Sequence, residues 1–99
     1  MDQTTAGGNS TPPKFLLGQI VATPNALDKI PNDEILNALS RHERGDWGTL
    51  DAEDLESNEN ALKKGGRLFS AYHSIKNVKF LIITEWHRRV TTVLLPEDY

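Results

Sequence analysis

The sequence predicts an α+β domain: two to three N-terminal helices packed on a C-terminal antiparallel β-meander of three strands, which an earlier strand can join. Three observations carry this expectation. Apolar residues recur at helical spacing through the first two thirds of the chain. Three runs rich in β-branched and aromatic residues follow, and the connections between them are short enough to make hairpins the economical solution. The length, 99 residues, supports one hydrophobic core.

Residues 1–13, MDQTTAGGNSTPP, offer no bulky apolar side chain beyond Met1. Ordering them would cost entropy without burial, so they read as a disordered tail ahead of a single domain over residues 14–99. Residues 15–22, FLLGQIVA, are an apolar run of strand length, with Gly18 marking a bulge or a close approach. Thr23 and Pro24 supply an N-cap and a first-turn proline for a helix of a turn or two that Pro31 stops. Asn32 is placed to cap the next helix. Asp33 and Glu34 stand in its first turn, where the helix dipole favours acids, and Ile35, Leu36 and Leu39 make its apolar stripe before Gly45 ends it. A further helix over residues 51–64 starts on acids, ends on Lys63 and Lys64, and breaks at Gly65-Gly66. Its expected inner face is Leu55, Asn58 and Leu62. The meander strands are expected at residues 67–72, 78–84 and 90–95, with Pro96 closing the last.

Composition excludes several classes of chemistry. The chain has no cysteine, which removes disulfides, thiolate zinc sites, cysteine nucleophiles and iron–sulfur clusters. His42, His73 and His87 lack metal-ligand spacing, and no phosphate loop, HExxH, GxSxG or EF-hand pattern occurs, so neither cofactor nor metal is expected. No run approaches a membrane span or a secretory signal, and a cytoplasmic location without membrane contact is the expectation. The net charge of −3 is unevenly spread. Residues 1–65 carry 11 acids against 6 bases, whereas residues 66–99 carry 3 against 5. A bulk polyanion binder would be basic overall, so only a local basic face is available for nucleic acid.

Three constellations can hold function. Residues 41–48, RHERGDWG, fall at a helix end: Asp46 can accept backbone donors in the turn, Trp47 can lie over the helix, and His42 has the side chain whose ordinary pKa lies nearest neutrality. Asn58 sits on an apolar stripe, where a buried amide either pins the helix to its neighbours or faces a cleft. The third lies on the strands. Leu68, Ser70 and Tyr72 alternate with Phe69 and Ala71, Thr91 and Thr92 must face opposite sides, and residues 84–89, TEWHRR, form a basic hairpin tip. Plain structural duty explains each as well: a corner, a satisfied amide, and strand edges protected by charge.

On the stretches IVATPNAL, LSRHERGDWG, GRLFSAY and ITEWHRRVTTVLLPEDY, together with the Asn58 helix, the chain resembles a small family carried on bacterial plasmids and integrative elements. Its members are called plasmid-related proteins and are sometimes mislabelled as type I restriction subunits. The resemblance covers roughly residues 18–99. In that family an acid precedes the tip arginine, where this chain has His87. The order of elements is also similar to the barnase, EndoU, colicin and RelE-like ribonucleases, which cut RNA without metal. That likeness implies His42 as general acid or base, Arg67 and Arg88 as phosphate holders, and Tyr72 and Thr92 as orienting groups. An acidic helix over residues 51–59 would repel RNA unless it lay on the far side.

Two functional expectations follow. The first is an accessory protein of a mobile element that binds a host or plasmid macromolecule, such as a DNA-handling or defence protein. Its anchors would be Trp47 and Trp86 as exposed aromatics, with Asp46 and Arg89 beside them. The second is a metal-independent ribonuclease built on His42, Arg67, Tyr72, Arg88 and Thr92. A protein partner is expected for the first, nucleic acid for the second.

Overall fold

A computed structural model describes residues 12–99; the expected tail, apart from its last two residues, lies outside that range. The elements are β1 (Gln19–Ala22), α1 (Pro24–Lys29), α2 (Asn32–Glu43), α3 (Ala52–Lys64), β2 (Leu68–His73), β3 (Lys79–Thr84), β4 (Val90–Leu94) and a 3₁₀ turn, Pro96–Asp98. This is the α+β arrangement, with the last three strands as an antiparallel meander. The early strand does join it. It adds parallel to β4, giving a mixed sheet in the order β1-β4-β3-β2. Among the described residues no helix is long and apolar enough to cross a membrane.

Only half of the first apolar run is strand, because Gly18 interrupts it. Gly18 has φ 68°, and a Cβ there would lie 2.3 Å from the Arg89 carbonyl carbon, so the backbone must bend away before pairing begins. Phe15 and Leu17 upstream of it turn into the helix layer instead. Thr23 caps α1 as expected, its Oγ1 accepting from the Ala26 amide at 3.1 Å. The cap of α2 differs. Pro31 holds that position with no side-chain bond, and its carbonyl accepts from the Glu34 and Ile35 amides, leaving Asn32 inside the first turn.

α1 and α2 cover one face of the sheet. Ala26, Ile30, Ile35, Ala38 and Leu39 pack on Tyr72, Phe80, Ile82, Val93 and Leu95, each large side chain contributing about 1.5–3 kcal/mol on burial. Leu36, assigned to this stripe from spacing, is instead 67% exposed, and His42 takes the inward position one turn beyond Ala38. The opposite face gathers Ala71, Leu81, Ile83 and Leu94 with Leu50 and Phe69.

α3 does not lie flat on the sheet. It runs beside the outer edge of β2, which it seals through Asn58: Nδ2 donates to the Phe69 carbonyl at 2.6 Å and Oδ1 accepts from the Phe69 amide at 3.1 Å. Asn58 therefore pins the helix. Turning it to that edge buries Ala61, leaves Leu62 half-buried and exposes Leu55. The next outward-facing groups of β2 are met by residues 47–49. The Ala71 amide donates to the Trp47 carbonyl at 3.2 Å, and the Thr49 amide donates to the Ala71 carbonyl at 2.8 Å. Gly48 makes that approach at φ 78°, where a Cβ would fall 1.9 Å from the Ala71 oxygen. Gly48→Ala is expected to cost at least ~2 kcal/mol through strain and a broken edge seal, read as a lowered urea midpoint.

Candidate functional site

His42 was the leading catalytic candidate, and it lies wholly inside the protein. It is 0% exposed, edge-on to Phe15 and Trp47 with ring centroids 5.2 and 5.5 Å away. Both ring nitrogens are engaged, Nδ1 with Ser70 Oγ and Nε2 with Thr84 Oγ1 at 2.9 Å. The chain of bonds fixes its tautomer. Thr91 Oγ1 spends its proton on the Leu17 carbonyl at 2.7 Å, so Thr84 must donate to Thr91, also at 2.7 Å. Nε2 must then donate to Thr84, and Nδ1 accepts from Ser70. Burial, with the Arg88 charge second, pushes the His42 pKa down to about 3. An imidazole that is neutral, saturated and out of reach cannot exchange a proton with a substrate. Its role is to tie α2 to three strands.

The remaining members of the ribonuclease set make no hydrogen bond to it, although Arg88 is near enough for its charge to act on the ring. Tyr72 is buried; its hydroxyl donates to the Asp46 carbonyl at 2.7 Å, and burial raises its pKa well above the ordinary phenol. The Arg41 guanidinium covers its ring at 4.8 Å. Thr92 pairs with Ile83 and faces the side of the sheet opposite Thr91, as alternation required. Arg67 stands at the surface, bound to Glu85 at 3.4 Å and to the Tyr99 hydroxyl at 3.1 Å. Arg88 adopts φ 62° and donates into four carbonyls: Gly66, Glu85, Trp86 and, at 3.1 Å, Ala61. Among the described residues His42 is 0% exposed, so it presents no open face to these groups. Among the described residues no cluster of His, Asp or Glu is arranged to hold a metal ion.

The binding candidates divide differently. Trp47, expected as an exposed anchor, is buried at 3% exposure, and its indole donates to Glu59 at 3.1 Å. Asp46 accepts from Arg41 at 2.8 Å and from the Gly48 amide at 3.3 Å, and the Arg41 bond holds its carboxyl below the usual range. Both belong to the corner that seals β2. Trp86 and Arg89 are solvent-facing, Trp86 at 68%. The hairpin tip beneath them is rigid. Arg88 binds its carbonyls from inside, the Arg88 amide donates to the Glu85 carbonyl at 2.9 Å, and His87 Nδ1 accepts from the Arg89 amide at 3.0 Å while its ring lies edge-on to Trp86. Arg67 and Tyr99, a second exposed aromatic, continue this surface through Glu85. The candidate site is therefore a strip of aromatic and charged groups, Trp86, His87 and Arg89 at the tip and Arg67 and Tyr99 joined to it through Glu85.

Sequence reading did not anticipate the polar chain Ser70–His42–Thr84–Thr91. Strand parity carried a signal for it, since Ser70, Thr84 and Thr91 share the face of Tyr72, Ile82 and Val93. It also did not anticipate the clasp at the end of the chain. Asp98 accepts from Thr23 Oγ1 at 2.6 Å, Asn25 Nδ2 at 2.8 Å and the Leu95 amide at 3.1 Å, which lowers its pKa. Residues 20–27 and 94–99, far apart in sequence, are thus bonded to each other.

Because folding lowers the His42 pKa, the unfolded chain binds the proton first as pH falls. Stability is full above the ordinary histidine value near 6.5 and declines below it by roughly 1.4 kcal/mol per pH unit until about 3. Urea unfolding at about pH 7 and about pH 5 should show this slope, and His42→Leu should abolish it in that window. Set against known proteins, the chain matches no family model, no curated protein and no solved structure.

Proposed function

We propose that this protein is a non-enzymatic binding protein that engages a macromolecular partner, foremost a protein, through its hairpin tip. One observation carries the reading: Trp86 is 68% exposed on a turn whose backbone is immobilised by Arg88. A tryptophan on a preformed turn orders less backbone on binding, and it is a residue type that dominates hot spots. His87 lies edge-on to Trp86, and the exposed Arg89 follows on the same tip, so the complementary surface proposed is an apolar pocket with acids at its rim. The resemblance to the plasmid-related family supports placing it as a cytoplasmic accessory of a mobile element, with a host or plasmid DNA-handling or defence protein as partner.

The ribonuclease alternative lacks an observation in its favour, since its histidine is sealed in the core and its arginines serve the surface strip and the tip. Affinity capture on immobilised wild-type protein beside Trp86→Ala, followed by calorimetry with the captured partner, tests the binding reading. Trp86→Ala should weaken binding by roughly tenfold or more, with thermal stability unchanged. Equal capture by both proteins overturns it, as does cleavage of labelled RNA in chelator that Arg67→Ala abolishes.

A further inference from the structure

The hairpin tip holds a hydrogen bond that one added proton removes. His87 Nδ1 accepts from the Arg89 amide at 3.0 Å, so Nδ1 is bare here and the ring is the neutral tautomer with its proton on Nε2. The bond spans Arg88. That residue adopts φ 62°, a conformation that residues bearing a side chain rarely take, so the groups that bracket it decide whether the turn keeps its shape. One bracket is independent of pH. The Arg88 guanidinium, charged at any neutral or mildly acidic pH, donates to the Glu85 and Trp86 carbonyls and braces the first half of the turn. The second half, from His87 to Arg89, depends on the imidazole.

Imidazolium carries a proton on both nitrogens and accepts from nothing. On protonation Nδ1–H would face the Arg89 N–H, two donors at hydrogen-bond distance, and the ring must turn away. Among the described residues no carboxylate is paired with it. The tip itself carries Glu85, Arg88 and Arg89; the segments bonded to it bring Arg67, already paired with Glu85, and Lys63 and Lys64 from the last turn of α3, while β1 brings no charge. The set is basic. The Trp86 ring, 5.1 Å from the imidazole between centroids, is within cation–π range and accepts the new charge on its face.

We infer that His87 is a proton switch of the hairpin tip: neutral, it ties down the Arg89 amide and fixes the setting of Trp86; protonated, it releases that amide and turns onto the Trp86 face. Histidine is the side chain that ordinarily changes charge between about pH 5 and 8, which puts the switch in the range a cell visits. The other two histidines do not share the role. His42 is sealed in the core, and His73 ends β2 opposite Lys79, at the far end of the strand pair from the tip. As regulation of partner binding this rests on the function proposed above: acidification withdraws the preset Trp86 and weakens capture.

NMR of the full chain over a series from about pH 8 to about pH 5 reads the tip directly. The His87 ring signals and the Arg89 amide proton should move with one midpoint, the amide going upfield as its bond is lost and the Trp86 indole signal following. The Ile82 amide, in the middle of the sheet, should stay in place and report an intact fold. His87→Asn is the decisive variant, because its Oδ1 stands where Nδ1 stands, can accept the same amide two residues on, and has no proton to gain. Its Arg89 amide should stay downfield and flat with pH, whereas His87→Ala should hold that amide upfield throughout. A ring that does not titrate in this window, an Arg89 amide that ignores the ring, or one that moves equally in His87→Asn overturns the switch. Affinity for the captured partner should fall several-fold on acidification for wild type and hold for His87→Asn. A tip that switches while wild-type capture stays constant overturns the regulation and leaves the binding reading; capture that does not need Trp86 overturns the binding reading and leaves the switch.

Discussion

The structure turns on one buried histidine. His42 joins α2 to β2 through Ser70 and to β3 through Thr84, and the same chain of bonds passes through Thr91 on β4 to the backbone at Leu17. Each polar group in this line sits in an apolar interior and would be costly unpaired, so the line holds only when every element is in register. Hydrophobic burial would tolerate a helix rotated or slid by a fraction of a turn. A directional chain with one proton order does not.

Around that centre the molecule distributes its polar side chains according to which backbone they protect. Asn58 stands in for a missing strand beside Phe69, Asp46 and Gly48 shape the corner that meets Ala71, and Arg88 takes up carbonyls at the end of α3 and in the hairpin tip. Arg88 also brings its positive charge to the negative end of a helix dipole, so one side chain ties the end of α3, where Gly65 stops it, to the turn. Of the residues that read as an active site along the chain, Tyr72 and Arg88 satisfy backbone carbonyls, whereas His42 bonds to Ser70 and Thr84 and Arg67 to Glu85 and Tyr99.

Much of this architecture was legible beforehand because it depends on period and punctuation. The α1 cap at Thr23, the start of α3 at Asp51, the parity of Ser70 and Tyr72, and the opposed faces of Thr91 and Thr92 all follow from local rules. What escaped depends on distance in sequence. Whether His42 pointed at solvent or at Ser70 and Thr84 could not be read from α2 alone, because the decision belongs to strands 28 and 42 residues away. Trp47 was misjudged for the same reason: its cover comes from Phe15 and from α3. Leu36 was misassigned because three apolar residues within one turn define a stripe wider than the sheet beneath can cover.

The pairing of β1 with β4 has a consequence for how the chain acquires its shape. Residues 19–22 find their neighbours only at residues 90–93, and the Asp98 clasp is further along still. On the ribosome, residues 19–22 must therefore wait for this partner until residues 90–93 have been made. The meander can assemble locally from its hairpins, but closure of the last ladder is a long-range loop event and should come late. Because β4 belongs both to the last hairpin and to this ladder, the hairpin with β3 should close first and β1 should join a meander that already holds β4.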